Sequence, residues 1–164
     1  MEPRGEQDTK QRTGSFESGF SLPELLVVIA MMAIFITFAG PAFNESYRAY
    51  KVRSSALELS DSLRAARQVA VATQTLNSLV VNTAGASYSW TDSKGRLRTT
   101  NLQSPVRFVA ATPATVTFAS NGTVSTGAAT ISLQNTINGT RADRWTLDLN
   151  TVGRVTSTYS QVAP

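Results

Sequence analysis

Residues 25–43 read LLVVIAMMAIFITFAGPAF, nineteen consecutive positions without a charged side chain. That length meets the roughly 20 residues a helix needs to cross a hydrocarbon core about 30 Å thick. Phe20 and Leu22 extend the apolar character upstream. A helix that is apolar on every side must be surrounded by lipid or protein, and nothing else in this chain is apolar enough to enclose it. A secretory signal would carry a shorter apolar run, about 7–15 residues, closed by a small-x-small cleavage site. Thr37-Phe38-Ala39 offers such a site loosely, but Pro41 follows almost at once. The stretch therefore predicts a membrane-inserted helix over residues 20–43. Charge does not orient it, because Arg4, Lys10 and Arg12 precede it and Arg48, Lys51 and Arg53 follow closely.

Working outward, Gly40-Pro41 predicts an interruption or kink, since proline removes a helical hydrogen bond and crowds the preceding turn. A simple boundary between a membrane-embedded and a water-exposed helix is the alternative. Over residues 44–73, Ala49, Val52, Ala56, Leu59, Leu63, Ala66 and Ala70 recur at steps of three and four, which lines one face of a helix. Glu45, Arg48, Lys51, Arg53, Glu58, Asp61, Arg64 and Arg67 read as its solvated side, with a weak Asp61–Arg64 pair. Beyond residue 74 the pattern becomes β. Strands are predicted at 79–81, 88–91, 96–100, 106–110, 115–119, 130–133, 145–149 and 154–159, with turns at Asp92-Ser93-Lys94-Gly95, Asn121-Gly122 and Thr151-Val152-Gly153. The expected fold class is α+β, a long N-terminal helix covering one face of an antiparallel β-sheet domain at 74–164.

Composition narrows the chemistry. The 164 residues include no Cys and no His, which removes His-based triads, thiol nucleophiles, disulfides and the usual zinc sites. No metal and no cofactor is expected, and no enzyme, because no pair of carboxylates is visibly placed for acid–base work. The net charge of +4 averages unlike pieces. Residues 1–19 carry three basic against four acidic side chains and almost nothing apolar, so they have no face to bury. Residues 73–164 carry Lys94, Arg96, Arg98, Arg107, Arg141, Arg144 and Arg154 against only Asp92, Asp143 and Asp148.

Glu24, at the start of the apolar run, breaks the hydrophobic logic. A carboxylate within a membrane helix is costly and usually marks function, although a first-turn acid is also favoured by the helix dipole. Its surroundings, Gly19-Phe20-Ser21-Leu22-Pro23-Glu24-Leu25-Leu26-Val27-Val28-Ile29-Ala30, resemble the type IV prepilin signal. There a hydrophilic leader ends in Gly, Phe follows, and an acid sits four residues beyond it. The resemblance implies that residues 1–19 are a leader removed by prepilin peptidase between Gly19 and Phe20. It also implies that Phe20 is N-methylated, and that the apolar helix packs subunits into a filament. Glu24 would neutralise a neighbour's new α-amine, and Pro41 would be where the helix loosens on leaving the bilayer. Two positions depart from the pattern: Pro23 stands where an aliphatic residue is common, and the leader is long. Proline in a first turn lacks only an N–H that has no helical partner anyway.

The closing segment, Arg144-Trp145-Thr146-Leu147-Asp148-Leu149-Asn150-Thr151-Val152-Gly153-Arg154-Val155, resembles the GspH/FimT family of minor pilins and pseudopilins, in which a strand, a Gly-Arg turn and a last strand recur. The implied function is a minor pilin or pseudopilin subunit of a type IV pilus or type II secretion system. Its implied place is the inner membrane, single-pass with a periplasmic C-terminal domain, and then the filament. Prepilin peptidase and other pilins would be its partners. Some FimT-type members act in DNA uptake, so a pilus-associated DNA-binding subunit is the alternative, with Lys94, Arg96, Arg98, Arg141, Arg144 and Arg154 as phosphate contacts. The Gly-Arg-x-Arg motif of such members appears here as Gly153-Arg154-Val155-Thr156, without the second arginine.

Overall fold

A computed structural model describes residues 20–164, apart from the side chains of residues 38–42. Gly19 and the expected leader lie outside the described residues. One helix, α1 (Leu22–Thr73), precedes eight strands: β1 (Asn77–Asn82), β2 (Ser87–Thr91), β3 (Leu97–Asn101), β4 (Arg107–Thr112), β5 (Thr115–Phe118), β6 (Ala129–Thr136), β7 (Ala142–Leu149) and β8 (Val155–Val162). The described chain divides into two compact units between Ala39 and Gly40. The helix runs continuously through Gly40 and Pro41, so the chain is not interrupted there. Pro41 deletes a single donor, a small part of the hydrogen bonding of a 52-residue helix.

Each predicted strand corresponds to an observed one, but they build two sheets where periodicity predicted a single one. The strand orders are β3-β2-β1-β5 and β4-β6-β7-β8, antiparallel at every pairing. The change of sheet happens between β4 and β5. Pro113 in that link offers no donor, and the next carbonyl, that of Ala114, accepts from Val81 N–H at 2.8 Å. The link is thereby tied to β1, so β5 enters the first sheet while β4 stays in the second.

The predicted helix face is the centre of the core. Val52, Ala56, Leu59, Leu63, Ala66 and Ala70 are buried, and they share one cluster with Leu79, Tyr88, Val116 and Phe118 of the first sheet and Phe108, Ile131, Leu133 and Leu147 of the second. The alanines let both sheets approach the helix backbone, and the leucines fill the space between. Ala49, the first of the predicted row, is only half-buried. Polar ties fix the register of helix on sheet. Asn77 Nδ2 donates to Ala66 O (3.2 Å) and Thr91 O (2.9 Å), and Asn135 Nδ2 to Arg48 O (2.8 Å). Tyr88 is buried with its hydroxyl 3.2 Å from Ser62 Oγ, and this burial raises its pKa.

Candidate functional site

The N-terminal end of α1 is built to be covered. The amide of Leu25 donates to Ser21 O (3.1 Å), closing the first turn, and Pro23 and Glu24 sit inside that turn where a missing N–H costs little and a negative charge is favoured. Phe20, Leu22, Leu25, Leu26, Val27, Val28, Ile29, Met31, Met32, Ile34, Phe35 and Ile36 are all exposed, on every side of the helix. Thr37, the one hydroxyl among the described residues after Ser21 in this stretch, turns back to donate to Ala33 O at 2.9 Å, so it presents no unmet polar group to apolar surroundings. Burying each large apolar side chain gains about 1.5–3 kcal/mol, a strong drive towards lipid or other helices. Among the described residues no helix is long and apolar enough to cross a membrane. Within the apolar run the described apolar side chains extend to Ile36 and resume at Phe43, and residues 38–42 complete the run only in the sequence.

The six basic residues predicted for phosphate contact fall into separate groups. Lys94, Arg96 and Arg98 belong to the β2–β3 hairpin, organised around Asp92. Its carboxylate accepts from the amides of Lys94 (2.9 Å) and Arg96 (3.0 Å), from Arg96 Nε (3.1 Å) and Nη2 (3.0 Å), and from Arg98 Nε (3.1 Å). The Arg96 amide above all, then that of Lys94 and the two guanidinium groups, holds the Asp92 carboxyl well below the usual carboxylate range. Arg141 is likewise engaged. It grips Asp143 through Nε (2.9 Å) and Nη2 (3.2 Å) and reaches Tyr159 Oη at 3.3 Å. Tyr159 donates in turn to Asp143 at 3.1 Å, and Asp143 is buried. Those bonds, with Asp143 foremost, raise the pKa of Arg141. Arg144 fastens Gln134 Oε1 through Nη2 at 2.9 Å.

Arg154 lies beyond the other end of β7, roughly 25 Å of strand from Arg141 at about 3.3 Å per residue. There it meets two arginines that the helical pattern assigned to a solvated face. Arg64, Arg67, Gln68, Gly153, Arg154 and Val155 line a concavity of about 440 Å³. Arg67 Nε donates to Gly122 O at 2.9 Å, and Arg64 is paired with Asp61 at 3.1 Å on the surface. Gly153 makes the convergence possible. Its φ is +79°, and a Cβ there would stand 2.6 Å from Gly122 O and 2.7 Å from Arg67 Nε. The signal in the sequence was the i, i+3 spacing of Arg64 and Arg67; what it lacked was which turn would reach them.

No protein-family model matches the chain, and no curated protein does. Among solved structures, the type IV minor pilin FimU of Pseudomonas aeruginosa is similar at 22% identity and a TM-score of 0.52, over 66% of this chain and 89% of that one. The minor pseudopilin EpsH from the type 2 secretion system of Vibrio cholerae aligns at 15% identity and a TM-score of 0.48, over 70% and 98%. On the FimU alignment the fold, a long helix on antiparallel sheets, is pilin-like.

Proposed function

We propose that this chain is a minor pilin or pseudopilin subunit of a type IV pilus or type II secretion system. In this reading prepilin peptidase cuts between Gly19 and Phe20 and Phe20 is methylated. The mature subunit waits in the inner membrane with its β domain in the periplasm, and then enters a filament by packing α1 against the helices of other pilins. The observation that carries it is the exposed, all-round apolar start of α1 leading from a domain that already has a closed core. The work left to that helix is association. Glu24 then acts as a register key. Its carboxylate meets the α-amine of a neighbouring Phe20 in a low-dielectric bundle, where either charge alone is costly. Mass spectrometry of the mature protein should give Phe20 as N-terminus, and Gly19→Ala should retain the leader. Glu24→Ala should be processed normally yet be lost from sheared filaments; full incorporation of that variant would remove the role assigned to it.

A second reading, DNA binding during uptake, is favoured by the meeting of Arg64, Arg67 and Arg154 around one concavity. Three arginines lining one concavity suit a phosphate backbone, with affinity that falls steeply as salt rises. Of the other predicted basic residues, Arg96 and Arg98 serve Asp92, Arg141 serves Asp143 and Arg144 serves Gln134 within the domain. Gel retardation of duplex DNA at about 50 and about 200 mM salt, a range over which phosphate-driven binding falls steeply, separates the readings. Retardation lost on Arg154→Ala supports uptake, and none at low salt eliminates it.

A further inference from the structure

Two antiparallel sheets have four edge strands, and an unguarded edge is a template for pairing with another chain. Three of these edges are blunted. β3 has five residues, carries Arg98 and follows Lys94 and Arg96. β5 has four residues, and its outer side is occupied by the following loop, where Ser125 N donates to Thr117 O (2.8 Å) and Ala119 N to Thr123 O (2.8 Å). β4 breaks register between Phe108 and Ala110 and is flanked by Pro105 and Pro113. The fourth edge, β8, differs in every respect. It has eight residues, no proline, no charge and no register break against β7.

The direction of its free groups follows from the turn. Asn150 N donates to Arg154 O at 3.1 Å, which makes residues 150 and 154 a hydrogen-bonded pair. Hydrogen-bonded and non-hydrogen-bonded pairs alternate along an antiparallel ladder. With Leu149 opposite Val155 and Trp145 opposite Tyr159, the amides and carbonyls of Val155, Ser157, Tyr159 and Gln161 therefore point away from β7. Beside this edge lies a groove of about 360 Å³ between α1 and β7–β8, whose lining includes Ala49, Tyr50, Arg53, Asp143, Trp145 and Tyr159. Trp145 and Tyr159 pack with ring centroids 5.6 Å apart. Asp143 is held by Arg141 and Tyr159, whereas Arg53 has no carboxylate partner among the described residues.

We propose that the β8 edge and the adjoining groove form a docking site for an extended segment of a different polypeptide, which adds a ninth strand beside β8. The segment places an aromatic or large apolar side chain in the groove and an acidic one, two residues away, against Arg53. Main-chain hydrogen bonds to residues 155, 157, 159 and 161 supply affinity, and the groove supplies selectivity. A second copy of this chain does not fit. Two-fold pairing of β8 with β8 turns one domain by half a revolution about the sheet normal. The Gly40–Thr73 parts of the two α1 helices would then run in opposite directions, whereas subunits anchored in one membrane run alike. This choice of occupant rests on the membrane anchoring proposed above; the open edge does not.

The test uses the full-length chain in detergent micelles and, as probe, a fluorescein-labelled peptide TVTFTETV, matched to the eight residues of β8. Ser157→Pro removes an outward donor while leaving the β7 ladder intact, since proline is tolerated on the solvent side of an edge strand. The wild-type chain should raise the anisotropy of the probe. Ser157→Pro should weaken binding roughly tenfold or more without changing the melting temperature. Arg53→Ala should weaken TVTFTETV and not its Glu→Gln form. A probe N-methylated at alternate residues should not bind, which keeps the test intact whatever Ser157→Pro does to folding. Absence of binding, or equal binding by the variant or the methylated probe, overturns the proposal. A β8-dependent dimer in sedimentation would overturn the assignment of occupant, while Phe20 as N-terminus in the same preparation would leave the assembly reading standing.

Discussion

Gly153 shows how much a single position can hold. Its φ of +79° is a conformation that L side chains adopt at a cost, and any Cβ would meet Gly122 O at 2.6 Å. Two penalties therefore act together, the left-handed backbone at about 1–2 kcal/mol and the forced separation of the β7–β8 turn from the 119–122 turn and Arg67. Gly153→Ala should destabilise the domain by about 2 kcal/mol or more, read as a lower denaturation midpoint of the chain in detergent. Unchanged stability would mean that the turn relaxes freely. The change should also push Arg154 away from Arg64 and Arg67. The turn itself was legible from Thr151-Val152-Gly153, because glycine supplies positive φ in a turn at no steric cost. That Gly153 also touches α1 was not legible, since Arg67 is 86 positions earlier in the chain.

At the scale of elements, the β2–β3 hairpin depends on a carboxylate that the sequence presented only as a turn residue. Asp92 is 11% exposed and accepts five hydrogen bonds within its own hairpin. Its folded pKa is depressed below the ordinary 3.8. The unfolded chain therefore binds the proton first as pH falls, and the contribution of Asp92 to stability is complete at neutral pH and lost below about pH 4. Asp92→Asn keeps an acceptor for the amides of Lys94 and Arg96 but removes the charge that holds two arginines. Its melting temperature should lie below that of the wild type at pH 7, with the gap narrowing progressively as pH falls below about 4; a gap independent of pH would deny the ionic role. The same geometry explains why Arg96 and Arg98, adjacent on one side of a predicted strand, do not form a free phosphate-binding pair.

For the molecule as a whole, the division at Ala39 and Gly40 separates two kinds of burial. The side chains that close the core, from Val52 onward, all lie in Gly40–Pro164, while the apolar side chains of residues 20–37 remain exposed. A fragment of residues 40–164 should therefore fold alone, melt cooperatively and stay in solution without detergent. The chain from Phe20 should need detergent or lipid. Non-cooperative melting of the fragment would mean that the N-terminal stretch contributes to the core.

The elements follow from local sequence: an unbroken apolar run, a helix whose buried row appears at steps of three and four, and eight short strands separated by Gly and Asn turns. These are local periodicities, and burial of one face follows from them directly. Pairing is a different matter, because it joins residues that no period connects. It took the folded chain to divide the strands into two sheets at Pro113, to bring Arg64 and Arg67 to the Gly153 turn, and to pair Arg141 with Asp143. The fold also decided that β8, among four edges, is the one left with nothing to guard it. Each of these depends on which backbone donors are already satisfied and which charges find partners across the fold, and those are settled only when distant segments meet.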